Sequence, residues 1–168
     1  MREFEPRERY FKKFVIKTVF SVLGRGMKGV VKVDSKAQEY FSELHDGFVF
    51  RLHVLPLGPS LVVKKNGNNF VKVKKKDLQN TKIDLDIQFK NTAVTMPIVL
   101  GMAGVPQAFA ENRFILKGEI ADSMKIVDIM NLTEAYLFPK FITSKFLDVI
   151  PKKQKGSLRV YAYVLFGI

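Results

Sequence analysis

From Ile83 to Phe89 the apolar residues Ile83, Leu85, Ile87 and Phe89 alternate with Asp84, Asp86 and Gln88. Side chains on a strand point to opposite faces in turn, so this segment has one dry face and one polar face. Such a strand needs sister strands beside it and helices over its dry face. The remaining sequence supplies both. Residues 48–57 are rich in β-formers, and Leu61–Lys65 meets Phe70–Lys75 across Asn66-Gly67, a strong hairpin signal. Arg113 to Glu119 reads as a further strand.

Several segments read as helices. Ala93 to Met102 is almost wholly apolar, and Pro97 fits a first helical turn. A helix that apolar cannot face water and must cover the sheet. Pro106 starts a second short helix carrying Phe109. Asp122 or Ser123 caps a longer one, with Ile126, Ile129, Met130, Thr133 and Leu137 as its stripe. Asn131-Leu132-Thr133-Glu134 has the form of a capping box, which predicts a break near Met130, and Pro139 ends the helix. Phe141, Phe146, Leu147 and Ile150 belong to another short helix. Lys152 to Gly156 is a basic linker, and the apolar tail Leu158–Phe166 fits strand and helix equally.

At the other end, Phe11, Phe14, Val15, Thr18, Val19, Val22 and Leu23 recur at helical spacing between Arg7 and Leu23, with Pro6 at the first turn. Lys12, Lys13 and Lys17 lie off that stripe, which makes a basic amphipathic helix. Gly24-Arg25-Gly26-Met27-Lys28-Gly29 spells G-x-G-x-x-G. A dinucleotide site needs these glycines after a strand, with an acid about 20 residues on. Here they follow a helix and the next acid is Asp34, so they read as a helix stop and linker. Asp34 or Ser35 then caps a helix ending at Gly47, with Ala37, Tyr40, Phe41 and Leu44 buried. The expected organisation is a basic helix and glycine linker over 1–33, an α+β domain over 34–150, and a linker with an apolar tail over 151–168.

Composition limits the chemistry. With 28 Lys and Arg against 16 Asp and Glu, the net charge of +12 attracts polyanions: nucleic acid, anionic lipid headgroups or acidic proteins. There is no Cys, and His45 and His53 alone do not make a typical zinc site. Asp84 and Asp86 point the same way, but without His or metal support they read as a solvated strand face. No Ser, His and acid stand at a recognisable triad spacing, so the expectation is a non-enzyme with no cofactor. No stretch reaches the length of a membrane span, and charges crowd residues 2–13 where a secretory signal would be apolar. The C-terminal Leu165-Phe166-Gly167-Ile168 matches neither a peroxisomal nor a prenylation signal, so the expected compartment is the cytoplasm.

The order of helices, hairpin-rich sheet, apolar glycine-bearing helix, strand and last apolar helix resembles the sterol-carrier-protein type 2 family. The residues that carry the resemblance run from Ile83 to Leu132: I-D-L-D-I-Q-F, the apolar helix with Gly101, then Q-A-F-A-E-N-R-F-I-L-K-G-E-I-A-D-S-M-K-I-V-D-I-M-N-L. Arg113, the strand Phe114–Lys117, the pair Gly118-Glu119 and Met124-Lys125-Ile126 stand at the family's places. The resemblance implies an α+β fold with a mostly antiparallel five-stranded sheet, covered on one face by helices with an apolar tunnel between. It implies binding of a sterol, fatty acid, acyl-CoA or phospholipid. The helix ahead of the domain also resembles bacterial accessory factors of ubiquinone biosynthesis, which adds an isoprenoid lipid to the range. The expected tunnel lining is Leu85, Ile87 and Phe114 from the sheet, with Met96, Val99, Leu100, Met102, Phe109, Ile126 and Met130 from the helices. Methionines suit a cavity that accepts varied chains, being unbranched and adaptable.

Three further partners follow from the residues. Lys12, Lys13 and Lys17 are placed to draw the protein to an anionic membrane surface. The alternative is nucleic acid, through a hairpin that sets Phe70 among Lys64, Lys65, Lys72, Lys74, Lys75 and Lys76. The aromatic tail is a surface for a second copy or a partner protein.

Overall fold

The structure, a computed structural model, describes residues 10–100, 105–137 and 158–166. Helix α1, Tyr10–Val33, is the longest element. It runs straight through the glycine segment, which is therefore neither a helix stop nor a linker. The buried stripe is Ile16, Phe20, Leu23, Met27 and Val30, while Phe11 and Phe14 are 77% and 67% exposed. The stripe expected on the sequence is rotated from this one, because the true stripe continues past Gly24 and cannot be seen if the helix ends at Leu23. The glycines serve packing instead. A Cβ on Gly26 would lie 2.7 Å from Thr133 Cγ2, and one on Gly29 would lie 2.8 Å from Tyr163 Cβ.

Helix α2, Ser35–Glu43, starts at Asp34, whose carboxylate accepts from the backbone N–H groups of Lys36 and Ala37 at 3.0 and 3.2 Å. The same carboxylate accepts from the Tyr136 hydroxyl at 2.8 Å. The other end is capped from the sheet: Lys65 Nζ donates to the carbonyls of Phe41 and Leu44 at 2.9 and 2.5 Å. A cation there satisfies orphan carbonyls and the helix dipole together.

Strands β1 (Val49–Val54), β2 (Ser60–Asn66), β3 (Asn69–Lys72), β4 (Leu85–Phe89) and β5 (Phe114–Lys117) form one sheet in the order β3-β2-β1-β4-β5. The sheet is mixed: β1 and β4 run parallel, and the other pairings are antiparallel. Gly67 has φ +56° in the hairpin turn. After β3 the chain leaves the sheet for a 3-10 turn at Lys75–Asn80, so the third strand is shorter than the sequence pattern implies.

Helix α3, Thr92–Val99, is capped by Asn91 through the N–H groups of Ala93 and Val94. Pro97 lies inside it rather than in its first turn. Helix α4 is Val105–Ala110 and α5 is Ile120–Leu137. The expected break in α5 is absent, because the Thr133 hydroxyl donates back to the Ile129 carbonyl at 2.7 Å instead of capping a new helix. The tail is a helix, α6, Leu158–Phe166, with Val160 buried. The residues from Pro139 to Gly156 lie outside those described.

One core cluster joins α1, α2 and α5 to the inner sheet residues Phe50, Leu52, Leu61, Val63, Phe70, Leu85 and Ile87. Each such side chain contributes about 1.5–3 kcal/mol on burial. On the polar face Arg51 and Asp86 pair across β1 and β4, with Nε to Oδ1 at 2.8 Å, and Gln88 donates to the same carboxylate. Asp84 accepts from the Val49 N–H at 2.9 Å. Both aspartates hold strands together.

Candidate functional site

The residues expected to line a tunnel divide into two groups. Leu85, Ile87, Phe114, Ile126 and Met130 are all buried in the core cluster. Met96 and Val99 are half-buried, Leu100 is 47% exposed and Phe109 is 62% exposed. Met102 lies outside the described residues. The second group sits beside β4 and β5. Phe109 meets Phe114 at a ring-centroid distance of 5.8 Å, and Phe114 meets Phe89 at 5.8 Å. Six of the eight residues of α3 are apolar, yet Thr95 is its one fully buried residue. Ile115 on β5 and Ile120 and Met124 at the start of α5 are exposed as well. Sequence reading left Ile115 and Ile120 out of the site, because their spacing alone is that of ordinary strand and helix core positions.

A second feature lies at the other edge of the sheet. A cleft of about 290 Å³ opens between α1, the β2–β3 hairpin and α6. Its floor is Leu61, Val63 and Phe70, each 2% exposed. Ser21, Arg25 and Lys28 from α1 and Lys72 from β3 stand around it, with Tyr163 of α6 at one wall. Arg25 Nη1 donates to the Val164 carbonyl at 3.2 Å. Sequence reading missed this group, though the spacing 21, 25, 28 falls on one helical face once the helix is carried through the glycines.

The other expected contacts are placed as follows. Lys17 is exposed, and Lys12 and Lys13 are half-buried beside the exposed rings of Tyr10, Phe11 and Phe14. In the hairpin, Phe70 points into the core, edge-on to Phe41 and Phe50 at 4.8 and 5.7 Å, and Lys65 is buried. That leaves the hairpin with surface lysines and no surface phenylalanine. Lys125 bridges Asp122 and Glu43 at 3.3 and 3.4 Å, joining α5 to α2.

Titratable groups are perturbed in several places. Burial pushes the Asp86 carboxyl up, and hydrogen bonds from Arg51 and Gln88 outweigh that and hold it below its usual range. His53, with Nδ1 buried and without a hydrogen-bond partner among the described residues, is shifted down by burial and then by Arg51. Glu134 on α5 is pushed up to about 7 by burial. No group of His, Asp and Glu with metal-site geometry occurs among the described residues, and no described helix is long and apolar enough to cross a membrane.

No protein-family model and no curated protein matches the chain. Solved structures do. A UbiJ-SCP2 ubiquinone synthesis protein is similar at 15% identity and TM-score 0.48, over 74% of this chain and 99% of that one. The apo form of sterol carrier protein 2 from Yarrowia lipolytica is similar at 17% identity and TM-score 0.45, over 68% of this chain and 88% of that one. Sterol carrier protein 2 like 2 from Aedes aegypti is similar at 11% and 0.37, over 60% and 94%. At these identities the functional reading rests on the chain's own residues.

Proposed function

We propose that the protein is a non-catalytic carrier of a hydrophobic lipid: a fatty acyl chain, a sterol-like molecule, a phospholipid or an isoprenoid quinone. The observation that carries this reading is α3, six of whose eight residues are apolar and most of which are only half-covered, with Leu100 and Phe109 at the surface. Contiguous exposed apolar surface of this kind marks ligand or partner contact. The ligand lies between α3 and the sheet edge, touching Met96, Val99, Leu100 and Phe109. Behind them, Leu85, Ile87, Phe114, Ile126 and Met130 form the wall that its apolar body displaces or rests on.

The basic end of α1 brings the carrier to an anionic bilayer. Lys12, Lys13 and Lys17 supply attraction, and Tyr10, Phe11 and Phe14 supply apolar rings at the same turns. Each lysine near such a surface contributes about 1 kcal/mol, so replacing all three with Gln weakens vesicle binding by about 100-fold at low salt. Leu158 and Leu165, both exposed on α6, are what the tail offers a partner protein or a second copy.

The test is extraction and native mass spectrometry of the purified full chain, followed by uptake of a fluorescent fatty acid. Co-purified lipid and saturable uptake are expected, with uptake falling at least about tenfold in Leu100→Asp plus Phe109→Asp at unchanged melting temperature. Absence of both co-purified lipid and uptake overturns the reading. Tight, salt-sensitive binding to RNA replaces it with the nucleic-acid alternative.

A further inference from the structure

The cleft at the β2–β3 edge is separate from α3, and its chemistry differs. Its floor of Leu61, Val63 and Phe70 is apolar, and among the described residues no Asp or Glu lines it. Three cations, Arg25, Lys28 and Lys72, line it. Gly24 keeps the space open: a Cβ there would come within 3.1 Å of Leu61 Cδ1. Arg25 is held in place by its bond to the Val164 carbonyl, and a guanidinium carries five N–H donors, of which this bond occupies one. Tyr163 is fixed against Gly29 and beneath Lys32, whose Nζ lies 5.2 Å from the ring centroid. The volume of about 290 Å³ stands at the lower end of small-molecule pockets, enough for a head group and a short apolar segment.

We infer that this cleft binds a single amphiphile by its anionic head, a phosphate or carboxylate held by Arg25, Lys28 and Lys72, with the adjoining apolar segment on Leu61, Val63 and Phe70. Cations placed over a preformed apolar floor select a charged head and a greasy neck together, and neither a free anion nor a neutral chain satisfies both. The inference does not depend on lipid binding at α3.

The experiment is an NMR titration of the ¹⁵N-labelled full chain with decyl phosphate, decanol and inorganic phosphate in parallel. Decyl phosphate is expected to move the amide signals of Leu61, Val63 and Phe70, with decanol and inorganic phosphate each binding at least about tenfold more weakly. Arg25→Gln and Lys72→Gln each weaken decyl phosphate by about tenfold, since a hydrogen bond to a charged group is worth about 1.5–3 kcal/mol. Neither alters the response to decanol, and Arg25→Lys restores part of the loss. Both residues are exposed, and an unchanged melting temperature confirms folding. Equal binding of decanol and decyl phosphate overturns the inference, as does equal binding of inorganic phosphate, which means surface cations collecting an anion. Signals that move only around Leu100 and Phe109 sink the cleft while leaving the α3 reading intact; signals that move only in the cleft do the reverse.

Discussion

At the β3 edge of the sheet Phe70 is 2% exposed, and at the β5 edge Phe109 is 62% exposed. Both are phenylalanines beside an edge strand with a helix nearby. Helix α1 reaches the β2–β3 side through residues without bulk: Gly24 faces Leu61, while Gly26 and Gly29 admit α5 and α6. Close approach seals the floor and leaves the long cationic side chains at the mouth. Helix α3 has no glycine to let it approach closely, spans Thr92–Val99 and carries Pro97 within it. It packs chiefly on α1, with side chains that stay half-exposed. How near a helix can come therefore decides whether an apolar residue becomes core or remains available to a ligand.

Truncating the two rings is the strongest way to sharpen that contrast. Phe70→Ala should cost about 3–5 kcal/mol, because it empties a packed site between Phe41 and Phe50. Phe109→Ala should cost under about 0.5 kcal/mol and reduce lipid uptake instead. Urea denaturation of both variants checks this, and equal destabilisation would erase the distinction. Next in size, Gly29→Leu should cost about 3 kcal/mol. Its side chain meets Tyr163 Cβ, and overpacking outweighs the gain in helix propensity. The expected sign of success is selective: protease sites on α6 open while uptake at α3 persists.

A change in the shared support should move both edges alike. Glu134 on α5 has its pKa raised by burial to about 7, so the folded chain holds a proton that the unfolded chain has released above about pH 4.3. Stability therefore falls as pH rises between those values. Glu134→Gln should remove that slope and add roughly 3–4 kcal/mol at pH 8 while changing little at pH 4, as thermal melts across pH would read. A smaller loss of stability is expected for Lys65→Met, at about 1–2 kcal/mol. It strips the carbonyls of Phe41, Ser42 and Leu44 of their common donor. Hydrogen exchange should show α2 fraying, with the β5 edge untouched.

Much of the architecture was legible residue by residue. Alternation from Ile83 to Phe89, the Asn66-Gly67 turn and the cap at Asp34 act within a few residues of themselves, so the sheet, the hairpin and the start of α2 could be read directly. The expected lining residues were legible as apolar, but not as open or closed. Ile126 and Leu100 carry the same signal in sequence, and one is fully buried while the other is 47% exposed.

The sequence by itself determined which residues form strands, where the turns fall and how strongly basic the chain is, because those are local preferences and sums. Tertiary structure decided what could only be settled by a neighbour distant in sequence. Glycines 24, 26 and 29 look like a break until Leu61, Thr133 and Tyr163 stand against them, since a Gly costs only about 1 kcal/mol in a helix and packing can exceed that. Likewise, Asn131 to Glu134 looks like a capping box until α5 runs on unbroken, with Thr133 packed toward Gly26 and bonded to the Ile129 carbonyl. The tail fits strand and helix equally until α1 presents a glycine groove for Tyr163, and burial against that groove makes it a helix.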